Sequence, residues 1–204
     1  VAETGEEDTG TTEKMPVPSA ANFWEMNPDE YDLDDPDHQQ AIWDIMMQDM
    51  TVLDVGQREH VYPTVEAGAS LRPRTNIAGE LHGESQGVNV LEEDTDGDGY
   101  VKIQAYSNDG TAIESSVVID KAAKLIEGYV KKRQLRVATP SKKYGILVDK
   151  LRQSLYIFKD GAIIGELKIS TGFNTKEQPY NETPSGEYFT ISRVGQFISG
   201  NMYC

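Results

Sequence analysis

Tyr144-Gly-Ile-Leu-Val-Asp149, Ser154-Leu-Tyr-Ile-Phe158, Lys159-Asp-Gly-Ala162, the run Ile163 through Ile169, Ser170-Thr-Gly172 and Thr183-Pro-Ser-Gly-Glu-Tyr-Phe-Thr-Ile191 follow one another within residues 144–191. They read as a succession of short strands. Asp160-Gly161 lies between two apolar, β-branched and aromatic runs, and a two-residue Asp-Gly loop favours a type I′ hairpin because both central residues need positive φ. With that turn in place Phe158 is expected to face Ile163, and Tyr156 to face Gly165, while Leu155, Ile157 and Ile164 point the other way. Both faces then carry apolar residues, which predicts a hairpin inside a sandwich or barrel rather than one lying half in water. Thr183-Pro184-Ser185-Gly186 is a turn signal, after which Tyr188 to Ile191 is expected to restart a strand.

In order and spacing these elements resemble the first half of a YkuD-like L,D-transpeptidase domain. The resemblance implies a β-sandwich in which Ser170, Thr171 and Gly172, with Thr183, Pro184 and Gly186, form walls of the substrate cleft. It further implies acyl transfer on peptidoglycan stem peptides. In that reaction a Cys thiolate paired with a His attacks the amide before D-Ala, D-Ala leaves, and an amine of a second stem resolves the thioester into a 3-3 cross-link. Backbone N–H groups hold the oxyanion. No metal or organic cofactor is implied.

The family carries its His and its Ser-His-Gly-Cys-x-Arg-type segment in the second half of the domain, and residues 1–204 contain neither. No His follows His82, and Cys204 has no His-Gly before it. Cys204 also follows Thr183-Pro184 too closely, so it reads as a small residue in or near a strand rather than as the nucleophile. Residues 1–204 alone are therefore expected to be inactive, and the natural polypeptide to be longer. A non-catalytic cell-envelope binding protein is the alternative, and a structural or interaction protein that shares only the fold is a third.

Charge is distributed unevenly. Residues 1–50 hold fourteen Asp or Glu against the single Lys14, a net of −13, which leaves −2 of the total −15 for residues 51–204. So acidic a chain with no basic stripe excludes nucleic acid and anionic membrane surfaces as expected partners. No stretch approaches the ~18–20 apolar residues of a membrane span. One cysteine excludes an internal disulfide framework. A polar arm beginning at Val1 fits a processed secreted protein or a trimmed chain equally well, so the expected location, extracellular and facing the cell wall, rests on the resemblance.

Residues 1–21, rich in Glu, Thr, Gly and Ser, are expected to be a disordered acidic spacer, since they bury too little to offset their ordering entropy. Residues 22–50 form a helical lead-in. Phe23-Trp24 and Tyr31 come first, and then Asp35-Pro36-Asp37 opens a helix with Asp35 as N-cap and Pro36 at the first position. Ile42, Trp43, Ile45, Met46 and Met50 make its apolar face.

Residues 51–138 read as short strands at Thr51–Val55, Glu59–Tyr62, Ile77–Leu81, Val88–Leu91, Tyr100–Tyr106, Ser115–Ile119 and Gly128–Val130. Turns fall at Gly56-Gln57, Arg72-Pro73, Gly83-Glu84, Asp98-Gly99 and Asp109-Gly110. Their order resembles a bacterial SH3-like domain, a small barrel whose closing strand would run from Gly128-Tyr129-Val130 to Leu135. Asp94, Asp96 and Asp98 begin like a calcium loop, but Ala105 stands where the twelfth-position Glu is needed, so a β-turn explains the same residues and no metal is expected. Lys131, Lys132, Arg133 and Arg136 read as a solvated strand edge. A polar joint at Ala138–Lys143 then leads into residues 142–204, the partial transpeptidase-like domain. The expected fold is mainly β: an SH3-like barrel and a partial sandwich behind one N-terminal helix.

Overall fold

A Pro that presets φ and an Asp that caps determine where the helix begins. In the computed structural model α1 spans Pro36–Met46, and the Asp35 side chain accepts the Asp37 N–H as the N-cap. The structure describes residues 14–21, 23, 26, 28–54, 59–64, 77–83, 85–93, 99–107, 124–172, 177, 181–190, 198–199 and 202–203. Outside them lie most of the expected spacer, Trp24, the strand at Ser115–Ile119, the turns at Gly56-Gln57, Arg72-Pro73 and Asp109-Gly110, Asp94, Asp96, Asp98, Ile191 and Cys204. The fold is mainly β with one α-helix. Among the described residues no helix is long and apolar enough to cross a membrane.

The first β region comprises β1 (Met50–Leu53), β2 (Glu59–Val61), β3 (Gly79–Leu81), β4 (Gly87–Glu92), β5 (Tyr100–Ser107), β6 (Lys124–Lys131) and β7 (Leu135–Ala138). Five of these make an antiparallel sheet in the order β6-β5-β4-β1-β7, and β2 pairs with β3. Tyr62 and Tyr129 exchange both backbone hydrogen bonds (3.0 and 2.7 Å), which ties the β2–β3 pair back onto β6. Leu53, Val61, Leu81 and Ile103 are fully buried between these strands. Gln86 is buried with them and is satisfied: its Oε1 accepts the His82 N–H and its Nε2 donates to the Tyr106 carbonyl, each at 2.6 Å.

Two expectations for this region are corrected. Met50 opens β1 instead of extending the helix face. The single closing strand expected from Gly128 to Leu135 is two strands, because a 3-10 turn at Lys132–Gln134 reverses the chain and sends β7 to the opposite edge of the sheet, beside β1. Two of the four basic residues thus sit in that turn, while the Arg136 guanidinium on edge strand β7 bonds Asp54 at 2.9 Å.

The second region is a separate antiparallel sheet, β10-β9-β8, made by β8 (Gly145–Asp149), β9 (Ser154–Lys159) and β10 (Ala162–Lys168). Asp160 and Gly161 both have positive φ (49° and 84°), as the hairpin turn requires. Phe158 faces Ile163 as expected, but the register then slips between Ile163 and Gly165, so that Gly165 faces Ile157 and Tyr156 faces Glu166 rather than Gly165. The slip turns Glu166 and Lys168 toward Ser154, whose hydroxyl bonds them at 3.0 and 2.7 Å.

On one face of this sheet Tyr156 and Phe158 form a second core with Ile42 and Trp43 of α1 and with Tyr31. Gln39 joins the layers by accepting the Ile163 N–H at 2.9 Å and donating to the Leu33 carbonyl at 2.8 Å. The other face stays in water: Ile146 is 60% exposed, Ile164 57% and Leu167 54%. Among the described residues the hairpin is covered on one side, by α1 and the residues around Tyr31. Two short strands, β11 (Ile198–Ser199) and β12 (Met202–Tyr203), pair with each other. Of the expected spacer, Lys14 reaches Asp37 and Asp35 at 3.3 and 3.6 Å, at the start of α1.

Candidate functional site

The residues expected to line a cleft are brought together by the turn between β8 and β9. Asp149 is buried at the start of that turn, where its Oδ1 accepts the N–H groups of Leu151 (2.9 Å) and Arg152 (2.8 Å) and its Oδ2 accepts Arg152 Nη1 at 2.7 Å. That hydrogen bond, more than any other influence, raises the affinity of the Arg152 guanidinium for its proton. Gln153, in left-handed backbone geometry (φ 52°), closes the turn. Its amide then grips Thr171 twice, accepting the backbone N–H at 2.8 Å and donating to Oγ1 at 2.6 Å. The Ile169 N–H donates to the Gln153 carbonyl at 3.0 Å.

From the same turn Lys150 reaches the second expected wall. Its Nζ donates to Glu182 Oε1, to the Thr183 carbonyl (2.9 Å) and to Ser185 Oγ (2.8 Å). All three ammonium protons are engaged, and the Lys150 and Glu182 side chains are 15% and 2% exposed. A lysine so held is a charged anchor and has no lone pair with which to take a proton from Ser185. The two walls also bind one another: the Gly172 N–H donates to Thr183 Oγ1 (3.0 Å) and the Thr183 N–H to the Gly172 carbonyl (3.1 Å). Only glycine allows this approach, since a Cβ at Gly172 would stand 2.0 Å from the Asn181 carbonyl oxygen.

Thr171, Gly172 and Thr183 are therefore joined directly. Ser170 is exposed one residue away, Pro184 is half-buried, and Gly186 (φ 113°) turns the chain toward Tyr106 of β5. The strand expected at Tyr188–Ile191 is corrected to a single bridge between Tyr188 and Gln86. Its backbone partners lie at the head of β4: the Gly87 N–H donates to the Glu187 carbonyl (2.6 Å) and the Phe189 N–H to the Ser85 carbonyl (3.1 Å). Glu187 lines a cavity of about 200 Å³ together with Asp49 and Asn89. Burial pushes its carboxyl up to about 7.

Lys150, Gln153 and Glu182 hold the site together and were not singled out by the sequence reading. A charged residue in a polar loop defaults to solvent, and the one local signal was the Asp149-x-x-Arg152 spacing of a side-chain-capped turn. Cys204, Asp94, Asp96 and Asp98 lie outside the described residues, among which no cluster of His, Cys, Asp or Glu is arranged to hold a metal ion. No family model matches the chain, and no curated protein or solved structure matches it with significance.

Proposed function

We propose that residues 142–204 are part of the scaffold of a peptidoglycan L,D-transpeptidase, with Ser170–Gly172 and Thr183–Gly186 as walls of its stem-peptide cleft. The observation that carries this reading is the joining of these two segments on the Asp149–Gln153 turn, at the end of a sheet separate from that of residues 50–138. Residues 1–204 contain no His and Cys in the family's spacing. The proposal therefore assigns them positioning of the substrate and not the thiolate attack. Segments fixed to one turn, one by the Gln153 amide and the other by the Lys150 ammonium, hold an extended peptide in one register, which is how a scaffold lowers the barrier of acyl transfer.

A polypeptide that carries these residues together with the family's His and Cys segment is expected to release D-Ala from disaccharide tetrapeptides, to form 3-3 cross-linked dimers by mass spectrometry, and to take up one carbapenem covalently. Lys150→Ala is expected to slow all three. Intact substrate and an unmodified protein after prolonged incubation would overturn the proposal.

The separate core of residues 50–138 favours a second reading, a non-catalytic cell-envelope binding protein that uses an SH3-like module. It predicts co-sedimentation with purified sacculi without D-Ala release. A chain that neither sediments nor reacts excludes both.

A further inference from the structure

A cavity of about 550 Å³ opens between residues 29–34, the first turn of α1 and the β9–β10 hairpin, on the side of the second core, and reaches the Asp149–Gln153 turn at Arg152. Its size lies within the range of small-molecule sites. Tyr31 and Tyr156 contribute phenol rings to its lining, and Asp29, Asp32, Arg152 and Glu166 contribute charge. The charges do not balance. Arg152 is neutralised by Asp149 at 2.7 Å, and Glu166 is held by Lys168 at 2.8 Å. Asp29 shares Arg152 through Nη2 at 3.8 Å and Asp32 Oδ1 accepts the Asp34 N–H at 2.9 Å, so that with Asp34 the lining keeps a net negative charge among the described residues.

A second observation is independent of that charge. Tyr31 is 7% exposed, yet its hydroxyl makes no hydrogen bond to any described residue. The groups whose charge it feels are Asp149, Arg152, Tyr156 and Asp29, and three of these line the cavity. A buried phenol hydroxyl is ordinarily paired, and one left open at a cavity wall is an acceptor and donor awaiting a partner.

We propose that this cavity binds a primary-amine ligand of the lysine or diaminoalkane class, the ammonium held by Tyr31 and the Asp29–Asp32 carboxylates and the alkyl stem lying against Tyr156 and Ile163. The ammonium supplies three donors to the phenol oxygen and the carboxylates. The phenol rings stabilise a cation through their faces. Burial, foremost among its influences, raises the Tyr31 phenol above its usual range and keeps it neutral, so that it offers a lone pair and a proton at any physiological pH.

The test is calorimetry and amide chemical-shift titration of the 204-residue chain with cadaverine and with L-lysine, using hexanoate as an anionic control of similar length. Saturable cadaverine binding is expected, with shifts confined to residues 29–39 and 152–166, weakening several-fold between low and physiological salt. Tyr31→Phe removes a hydroxyl that makes no hydrogen bond to a described residue and is expected to weaken binding about tenfold. Asp29→Asn, on an exposed side chain, is expected to weaken it less. Absence of saturation at millimolar amine, equal binding of hexanoate, or an unchanged affinity in both variants overturns the proposal. Should Tyr31→Phe misfold, Asp29→Asn alone decides between a loss and no change.

Discussion

The two cores of this protein are closed by different means. In the region built from β1 to β7 the strands enclose their own interior, and along β5 every residue from Tyr100 to Ser107 is buried or half-buried. In the region built from β8 to β10 one helix and the residues around Tyr31 cover a single face, and the opposite face presents Ile146, Val148, Ile164 and Leu167 to water. Among the described residues the first core is thus made by strands, whereas the second depends on the capped helix Pro36–Met46 staying in place. A contact that secures α1 or the turn loops therefore matters most to the second region.

The largest expected effect breaks the second core at its centre. Phe158 is fully buried beneath α1, and Phe158→Ala is expected to cost about 4 kcal/mol. Amide hydrogen exchange should show the loss of protection in α1, β9 and β10 while β5 and β6 keep theirs. Equal loss in both regions would show that the two cores melt as one unit. Next comes the anchor of the joined walls. Lys150→Ala leaves the Glu182 carboxylate buried without its cation, at a cost of about 3 kcal/mol. The double replacement Lys150→Met with Glu182→Leu should cost less than Lys150→Ala alone, measured by urea denaturation, because it removes both charges from the interior.

How much of this was legible depended on whether a feature was local. The helix start at Asp35-Pro36 and the Asp160-Gly161 turn rest on the φ preferences and side-chain bonds of one or two residues, and both stand where the sequence places them. The bulge at Ile163–Gly165 was not legible, since it exists to bring Glu166 and Lys168 to Ser154 across the hairpin. Nor was the reversal at Lys132–Gln134, where a basic run concealed a turn between two strands on opposite edges. In the site, Thr183–Gly186 stood out as a turn signal, and Ser170–Gly172 came with it only through the family resemblance. Lys150 and Glu182, 32 residues apart, did not stand out, because a long-range buried ion pair leaves no periodic trace.

The junction between the two regions gives a pH-dependent test. Glu187 docks on the head of β4, and its carboxyl titrates at about 7 in the folded chain because burial disfavours the charged form. In the unfolded chain it titrates at its ordinary 4.5, so docking is strongest below 4.5 and weakens as pH rises through 7. The difference, discounted for partial exposure, is about 2 kcal/mol. Exchange at the Gly87 and Phe189 amides should accelerate, beyond its intrinsic pH dependence, between pH 5 and pH 8. Glu187→Gln should abolish the extra acceleration.

The smallest effect sharpens the comparison where the helix meets the hairpin. Gln39 is the side chain that stitches α1 to β10, and its removal leaves the Ile163 N–H in a partly buried place with no acceptor. Gln39→Ala is expected to cost about 1 kcal/mol, the usual net value of such a bond plus part of the desolvation of the orphaned donor. Because Ile163 lies directly before the bulge, the lost acceptor also frees the hairpin to restore regular pairing, with Ile164 opposite Ile157. Cross-strand proton contacts between Ile157 and Gly165 should then weaken in favour of contacts between Ile157 and Ile164. If the Gly165 contacts persist undiminished, the bulge is held by the Ser154, Glu166 and Lys168 side chains alone, and α1 covers the sheet without setting its register.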